Sequence, residues 1–260
     1  MWKNINYENC VSYIGRHAAS EAYARSKSAS ETHPGSCPDS EDKIQPSARP
    51  SVTISRMCGS GGKTMASELA KYLQSHTSFE HHWTIFDKNL IEKVLEEHHL
   101  SRRIAEFVPE GHKSLLAETI EKWRGLHPPT ATIVKQTAET IWNLAASGYV
   151  ILVGRASNVI TEKLDNVFHV RLVASLENRI ARVEEVYEMG RADAREYIRS
   201  QDADKRRYMK QYFDRDIDEP LLYHTIINTD YISYENAARL IGDAVITASN
   251  RRPAQALTAS

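Results

Sequence analysis

From residue 50 onward, short β-branched or apolar runs alternate with stretches of helical period. Val52, Thr53 and Ile54 lead into a loop of small residues, and Met65, Leu69, Tyr72 and Leu73 then recur three and four apart, which predicts strand, glycine loop, helix. Trp83, Thr84, Ile85 and Phe86 predict a second strand ending at Asp87, and Leu90, Ile91, Val94 and Leu95 continue it as an amphipathic helix. Residues 100–129 are less regular; Pro109, Gly111, Gly125 and the Pro128-Pro129 pair mark an insert that ends any helix before it. Helical spacing returns with Ile133, Val134, Thr137, Ala138, Ile141, Trp142 and Ala145, closed by Gly148 as a C-terminal cap. Residues 149–153 are apolar at every position, as a central strand buried on both faces requires, and end at Gly154-Arg155. A fourth strand is predicted over 167–173, with Ser175 capping a helix that reaches Gly190. A long charged helix follows over about 192–213, then a fifth strand over 223–228 and a helix capped by Ser233 that carries Ala237, Leu240, Ile241, Ala244 and Val245.

Five strands alternating with helices predict a three-layer α/β domain with a parallel sheet, since parallel neighbours need helical crossovers. In such sheets ligands sit beyond the carboxyl ends of the strands. Gly59 to Lys63, Asp87, Arg155 and Asn228 all fall at such ends, so one rim gathers them. The predicted organisation is one domain over 51–250, a flexible and disordered tail over 1–50, and a frayed end over 251–260. Ser, Glu, Pro and Lys dominate residues 26–50, and the tail is a candidate for recruiting a protein partner.

Composition narrows the function classes. The 260 residues are 41% hydrophobic and 26% charged, enough for one substantial core. A formal net charge of −1 offers no global basic field for nucleic acid or an anionic membrane, so any anion site must be local. Three scattered cysteines, Cys10, Cys37 and Cys58, form no disulfide framework or zinc pattern, and no apolar run approaches membrane-spanning length. With polar Asn4, Asn6, Glu8 and Asn9 near the start, the expectation is a cytoplasmic protein.

The chemistry centres on Gly59-Ser60-Gly61-Gly62-Lys63-Thr64. Glycines let backbone N–H groups converge on an anion, the helix N-terminus adds partial positive charge, and Lys63 and Thr64 are placed to serve a terminal phosphate and Mg²⁺. The pattern G-x-x-x-x-G-K-[ST] is met except that Met57 stands where its first glycine belongs, and an ordinary glycine-rich turn is the other reading of this window. Asp87 is either an orienter of an acceptor or the cap of the next helix. Arg155, at the end of the most apolar strand, suits an acceptor phosphate. Arg179 and Arg182, three apart on one helix, could both face phosphates or pair with Glu177, Glu184 or Glu185. Lys205, Arg206 and Arg207 either close over a transferring phosphoryl group or form a solvated face paired with Asp202 and Asp204. The pairs His81-His82 and His98-His99 lack an accompanying ligand set, so metal binding there is not expected.

Several ordered motifs resemble the cytidylate kinase-like family of P-loop proteins: Ile54-Ser55-Arg56 with Gly59-Ser60-Gly61-Gly62, Phe86-Asp87-Lys88-Asn89-Leu90-Ile91, Val153-Gly154-Arg155-Ala156-Ser157-Asn158, and Asp202 to Tyr208. Leu221-Leu222-Tyr223-His224 and Ile227-Asn228-Thr229 extend the resemblance, which runs from about residue 52 to 246. It implies a nucleoside monophosphate kinase fold with strand order 2-3-1-4-5 and a helical substrate or lid insert within 100–129. It also implies ATP and Mg²⁺ as cofactors and ATP-dependent phosphoryl transfer to a nucleoside monophosphate, CMP- or dCMP-like, or to another small metabolite. On that basis Lys63, Arg155, Lys205 and Arg207 are the catalytic candidates. Gly59, Ser60, Gly61, Gly62, Lys63, Thr64, Arg179 and Arg182 would hold the nucleotide; Asp87, Arg155 and Asp202 the acceptor; and Thr64 the Mg²⁺. True cytidylate kinases carry an aspartate after Gly-Arg where this chain has Ala156, and the family's Asp-x-x-Arg-x-x-Tyr pattern reads Asp202-x-x-Lys205-x-x-Tyr208 here, with lysine replacing arginine. The alternative these departures raise is a nucleotide-binding regulatory or interaction module that has lost transfer chemistry.

Overall fold

The computed structural model describes residues 49–77, 82–87 and 130–251, with side chains in the last stretch described from 134 to 249. Of the predicted tails at 1–50 and 251–260, residues 1–48 and 252–260 lie outside the described residues, as do the helix from Leu90, the insert at 100–129, and His81, His98 and His99.

The described chain runs β1 (Ser51–Arg56), α1 (Gly62–His76), β2 (Thr84–Phe86), α2 (Thr130–Ser147), β3 (Val150–Val153), α3 (Ser157–Ile160), β4 (Val167–Val173), α4 (Leu176–Tyr187), α5 (Arg191–Phe213), a 3₁₀ turn (Pro220–Leu222), β5 (Thr225–Asn228) and α6 (Tyr234–Arg251). The five strands form one parallel sheet in the order β2-β3-β1-β4-β5, as the resemblance implies. β1 therefore sits in the middle, with Val52 beside Ile151 on one flank and Phe168 on the other.

Alternation along β3 fills both layers. Val150 and Leu152 pack with Ala138, Ile141, Trp142 and Phe213 on one face, while Ile151 and Val153 pack with Met65, Leu69, Ile241 and Val245 of α1 and α6 on the other. β1 is two-faced in a different way. Val52 and Ile54 join the α1–α6 layer, whereas Ser51, Thr53 and Ser55 are buried polar groups whose partners are built in. Ser51 Oγ donates to the Ala145 carbonyl at 2.8 Å, Thr53 Oγ1 lies 2.8 Å from His169 Nδ1, and Ser55 Oγ accepts from Arg171 at 3.0 Å. Satisfied in this way, the polar row costs little to bury.

Trp83 falls just before β2, and three further predicted boundaries move. Tyr149 lies outside β3: it follows Gly148 in the left-handed region, with φ of 54° and 85°, so the chain is still turning out of α2 there. α4 stops at Tyr187 because Glu188 adopts φ 53°, and Gly190 becomes the N-cap of α5 instead of the end of α4. Tyr223 and His224 precede β5, because Pro220 opens a 3₁₀ turn that holds the chain away from the sheet until Thr225.

Candidate functional site

The loop between β1 and α1 lies at the carboxyl end of the central strand. Ser60 ties it down, its Oγ donating to the Met57 carbonyl at 2.9 Å, and Met57 N–H is held by the Leu172 carbonyl of β4 at 3.1 Å. Gly61 is the N-cap of α1 at φ 84°, a conformation that glycine adopts without strain; a Cβ there would also collide with the Tyr234 ring at the start of α6. The backbone N–H groups of Gly59, Gly61, Gly62, Lys63 and Thr64 donate to no acceptor among the described residues. Donors converging at the positive end of a 15-residue helix make a seat for an anion of several oxygens, and polyphosphate fits it.

Around this seat the predicted residues fall into two groups. Lys63 Nζ lies 3.2 Å from the Asp87 carboxylate at the end of β2; the lysine is 60% exposed and the aspartate 10%. Arg182 donates to Thr64 Oγ1 at 2.6 Å and its guanidinium lies over the Tyr234 ring, 4.7 Å from the centroid. Asp202 of α5 is a hub: its carboxylate accepts from Cys58 N–H at 2.7 Å, from Arg179 at 2.6 Å and from Lys205 at 3.0 Å. Burial pushes the Asp202 carboxyl up, but the Cys58 amide and the two cations outweigh it and hold it below the ordinary carboxylate range. Burial pulls the Lys205 ammonium down, against the pull of Asp202. The structure thus brings Arg179, Asp202 and Lys205 together under the loop, and Arg182 beside Thr64. Arg207 is separate, exposed and 3.2 Å from Asp204.

Beside the loop, a cavity of about 280 Å³ opens between the ends of β1 and β3 and the flank of α5. Arg155, Lys205, Asn158, Gln201 and Tyr208 line it, together with Arg56. Arg155 and Ala156 are consecutive non-glycine residues in the left-handed region, at φ 59° and 55°, directly after Gly154. Each such residue costs about 1–2 kcal/mol, and strain held at a cleft is a mark of function. Ala156 occupies the turn where cytidylate kinases carry aspartate, and its side chain is buried in the wall.

Arg56, Gln201, Tyr208 and Tyr234 went unassigned in the sequence. The available signal for Arg56 was a cation directly at the end of the central strand, one residue before the loop. For a metal, Thr64 offers a hydroxyl and Asp87 a carboxylate, and no group of three or more ligating side chains occurs among the described residues. Mg²⁺ bound chiefly to phosphates and water needs only one or two protein oxygens, so this pair fits it.

The sequence matches the model of the cytidylate kinase-like family over residues 51–231. Among solved structures, an uncharacterized protein from Eubacterium ventriosum ATCC 27560 is similar at 17% identity and a TM-score of 0.59, covering 76% of this chain and 99% of that one. A protein titled APE1195 is similar at 16% identity and TM-score 0.42, covering 78% and 98%. Shikimate kinase from Bacteroides thetaiotaomicron follows at 11% identity and TM-score 0.44, covering 76% and 99%. No curated protein matches the chain. No helix among the described residues is long and apolar enough to cross a membrane.

Proposed function

Because the chain belongs to the cytidylate kinase-like family, we propose that it transfers the γ-phosphoryl group of ATP to a small phosphate-bearing acceptor, with CMP and dCMP the first candidates. The observation that carries this is the adjacency of two anion seats: the free amides of the loop, and a cavity walled by arginine and lysine one strand away. Phosphoryl transfer needs two phosphates held in line with charge where charge develops, and little covalent work from the protein.

In this reading the loop amides and the α1 N-terminus hold the donor phosphates, and Arg179 and Arg182 steady the loop and its first helical turn. Arg155 and Lys205 receive the acceptor phosphate. One of its oxygens forms a bond to the γ-phosphorus as the bond from that phosphorus to the bridging oxygen breaks, and ADP leaves. Mg²⁺, when bound, neutralises the donor phosphates; Thr64 would hold it, with Asp87 nearby. Lys63 stands at the rim beside Asp87, and Arg207 at the outer face of α5 adds positive field. Asp202 supports the site by fixing Cys58, Arg179 and Lys205 relative to one another. We assign the domain to 51–250 and the soluble compartment to the cytoplasm on the sequence grounds above.

A coupled ADP-release assay with CMP, dCMP, UMP and AMP tests the proposal. Acceptor-dependent ADP release supports it; silence with every acceptor while ATP still raises the melting temperature would leave a nucleotide-binding module without transfer chemistry. The pairing of Lys63 with Asp87, which engages both groups with each other, is the observation that favours that second reading.

A further inference from the structure

The helix start fixes the frame of the loop in a way the sequence pattern does not. Aligned to G-x-x-x-x-G-K-[ST], the sequence makes Gly62 the second glycine and Lys63 the lysine. In the structure Gly61 is the left-handed N-cap and Gly62 the first helical residue. Helical side chains lean back toward the N-terminus, so one at that first position would run back along the loop, and Gly62 has none. Lys63 is the second helical residue, and its ammonium reaches sideways to Asp87 just past the end of β2, two strands from β1.

The space above Gly62 is filled from the other side of the loop. A Cβ on Gly62 would lie 2.9 Å from Cγ and 3.2 Å from Cδ of Arg56, so the stem of Arg56 occupies the path that a side chain at position 62 would take. Its guanidinium continues to the end of β3, where a Cβ on Gly154 would collide with Nη1. Both glycines are thus vacated for one arginine. That guanidinium lies on the wall shared by the loop and the cavity, with Asp87, Arg155 and Lys205 among its charged neighbours, and among the described residues no carboxylate comes within ion-pair distance of it. A half-buried arginine with no carboxylate within ion-pair distance is stabilised by an anion.

We propose that Arg56, reaching over Gly62 from the end of β1, is the cation that contacts the terminal phosphates of the donor, in place of a lysine on the first turn of α1. The assignment rests on the donor-site reading above. Arg56 and Arg155 then stand on either side of the transferring group, one for the donor and one for the acceptor.

Calorimetric titration of the full chain with ATP and Mg²⁺ tests this, alongside far-ultraviolet circular dichroism of each variant. Arg56→Ala should weaken ATP binding by about tenfold or more, as expected for loss of a charged hydrogen-bond donor. Adding Gly62→Lys to Arg56→Ala returns a cation to the same space from the helix side and should recover affinity to within about threefold of wild type. Should Arg56→Ala fail to fold, Gly62→Ala in the intact chain serves, because its methyl displaces the Arg56 stem; weaker ATP binding supports the assignment. Wild-type affinity in Arg56→Ala or in Gly62→Ala, or a double variant no better than the single one, overturns it. If the wild-type chain itself binds no ATP, the donor-site reading fails and this assignment with it.

Discussion

His169 shows how a single buried side chain sets the response of this fold to acid. It sits on β4, within 2.8 Å of Thr53 Oγ1 and stacked on His224 at a centroid distance of 4.9 Å, with Phe168 against the His224 ring. Burial, then the neighbouring His224, pushes its pKa down to about 3 from 6.5. Below pH 6.5 the unfolded chain protonates this imidazole while the folded chain does not. Stability is therefore fully present above 6.5 and falls as pH drops toward 3, by up to about 1.4 kcal/mol per pH unit. Urea melts at pH 7, 6, 5 and 4 should show this slope, and His169→Asn should flatten it while lowering stability at pH 7. Equal slopes in the two proteins would assign the acid sensitivity to other groups. Nothing in the local sequence marks His169 as buried and neutral, because its partners come from β1 and the residue before β5.

At the scale of elements, Asp202 joins three of them: α5, which carries it, α4 through Arg179, and the loop through Cys58 N–H. Its side chain and that of Arg179 are only 13% and 11% exposed. Asp202→Ala leaves two cations and an amide without their acceptor and should cost about 3 kcal/mol, read as a lower denaturant midpoint. Asp202→Asn, which keeps one accepting oxygen, should cost less; equal losses would show that charge alone matters. The contact between α1 and α6 at the N-cap gives a second test. Gly61→Ala meets both a left-handed backbone and the Tyr234 ring, so it should lose more than about 1 kcal/mol, and Tyr234→Ala should recover part of that loss in the double variant. Additive losses would mean that the ring does not set the close approach.

For the molecule as a whole, the strands and the rim were legible in the sequence because each strand announces itself by local apolar runs and each crossover by helical period, whereas the strand order came from the family resemblance. The five strands, the caps at Ser175 and Gly148, and the placing of Asp87 and Arg155 at strand ends all follow from neighbours close in the chain. What was not legible depends on where long side chains travel. The course of Arg56 past Gly62 to Gly154, the turn of Lys63 toward Asp87, and the polar face of β1 are contacts across roughly 6 to 116 positions of sequence, and no local pattern encodes them. Departures of the loop from the familiar pattern are therefore poor evidence of lost function, since another element can supply the missing group in space.

The proposed reaction requires that a phosphoryl group pass from ATP at the loop to an acceptor in the adjoining cavity. The most direct measurement is transfer of label from [γ-³²P]ATP with CMP, dCMP, UMP and AMP offered in turn, resolved by product. The account predicts label in the diphosphate of at least one acceptor, lost on Arg155→Ala. Label that stays in ATP, or appears only as inorganic phosphate, with all four acceptors would contradict it.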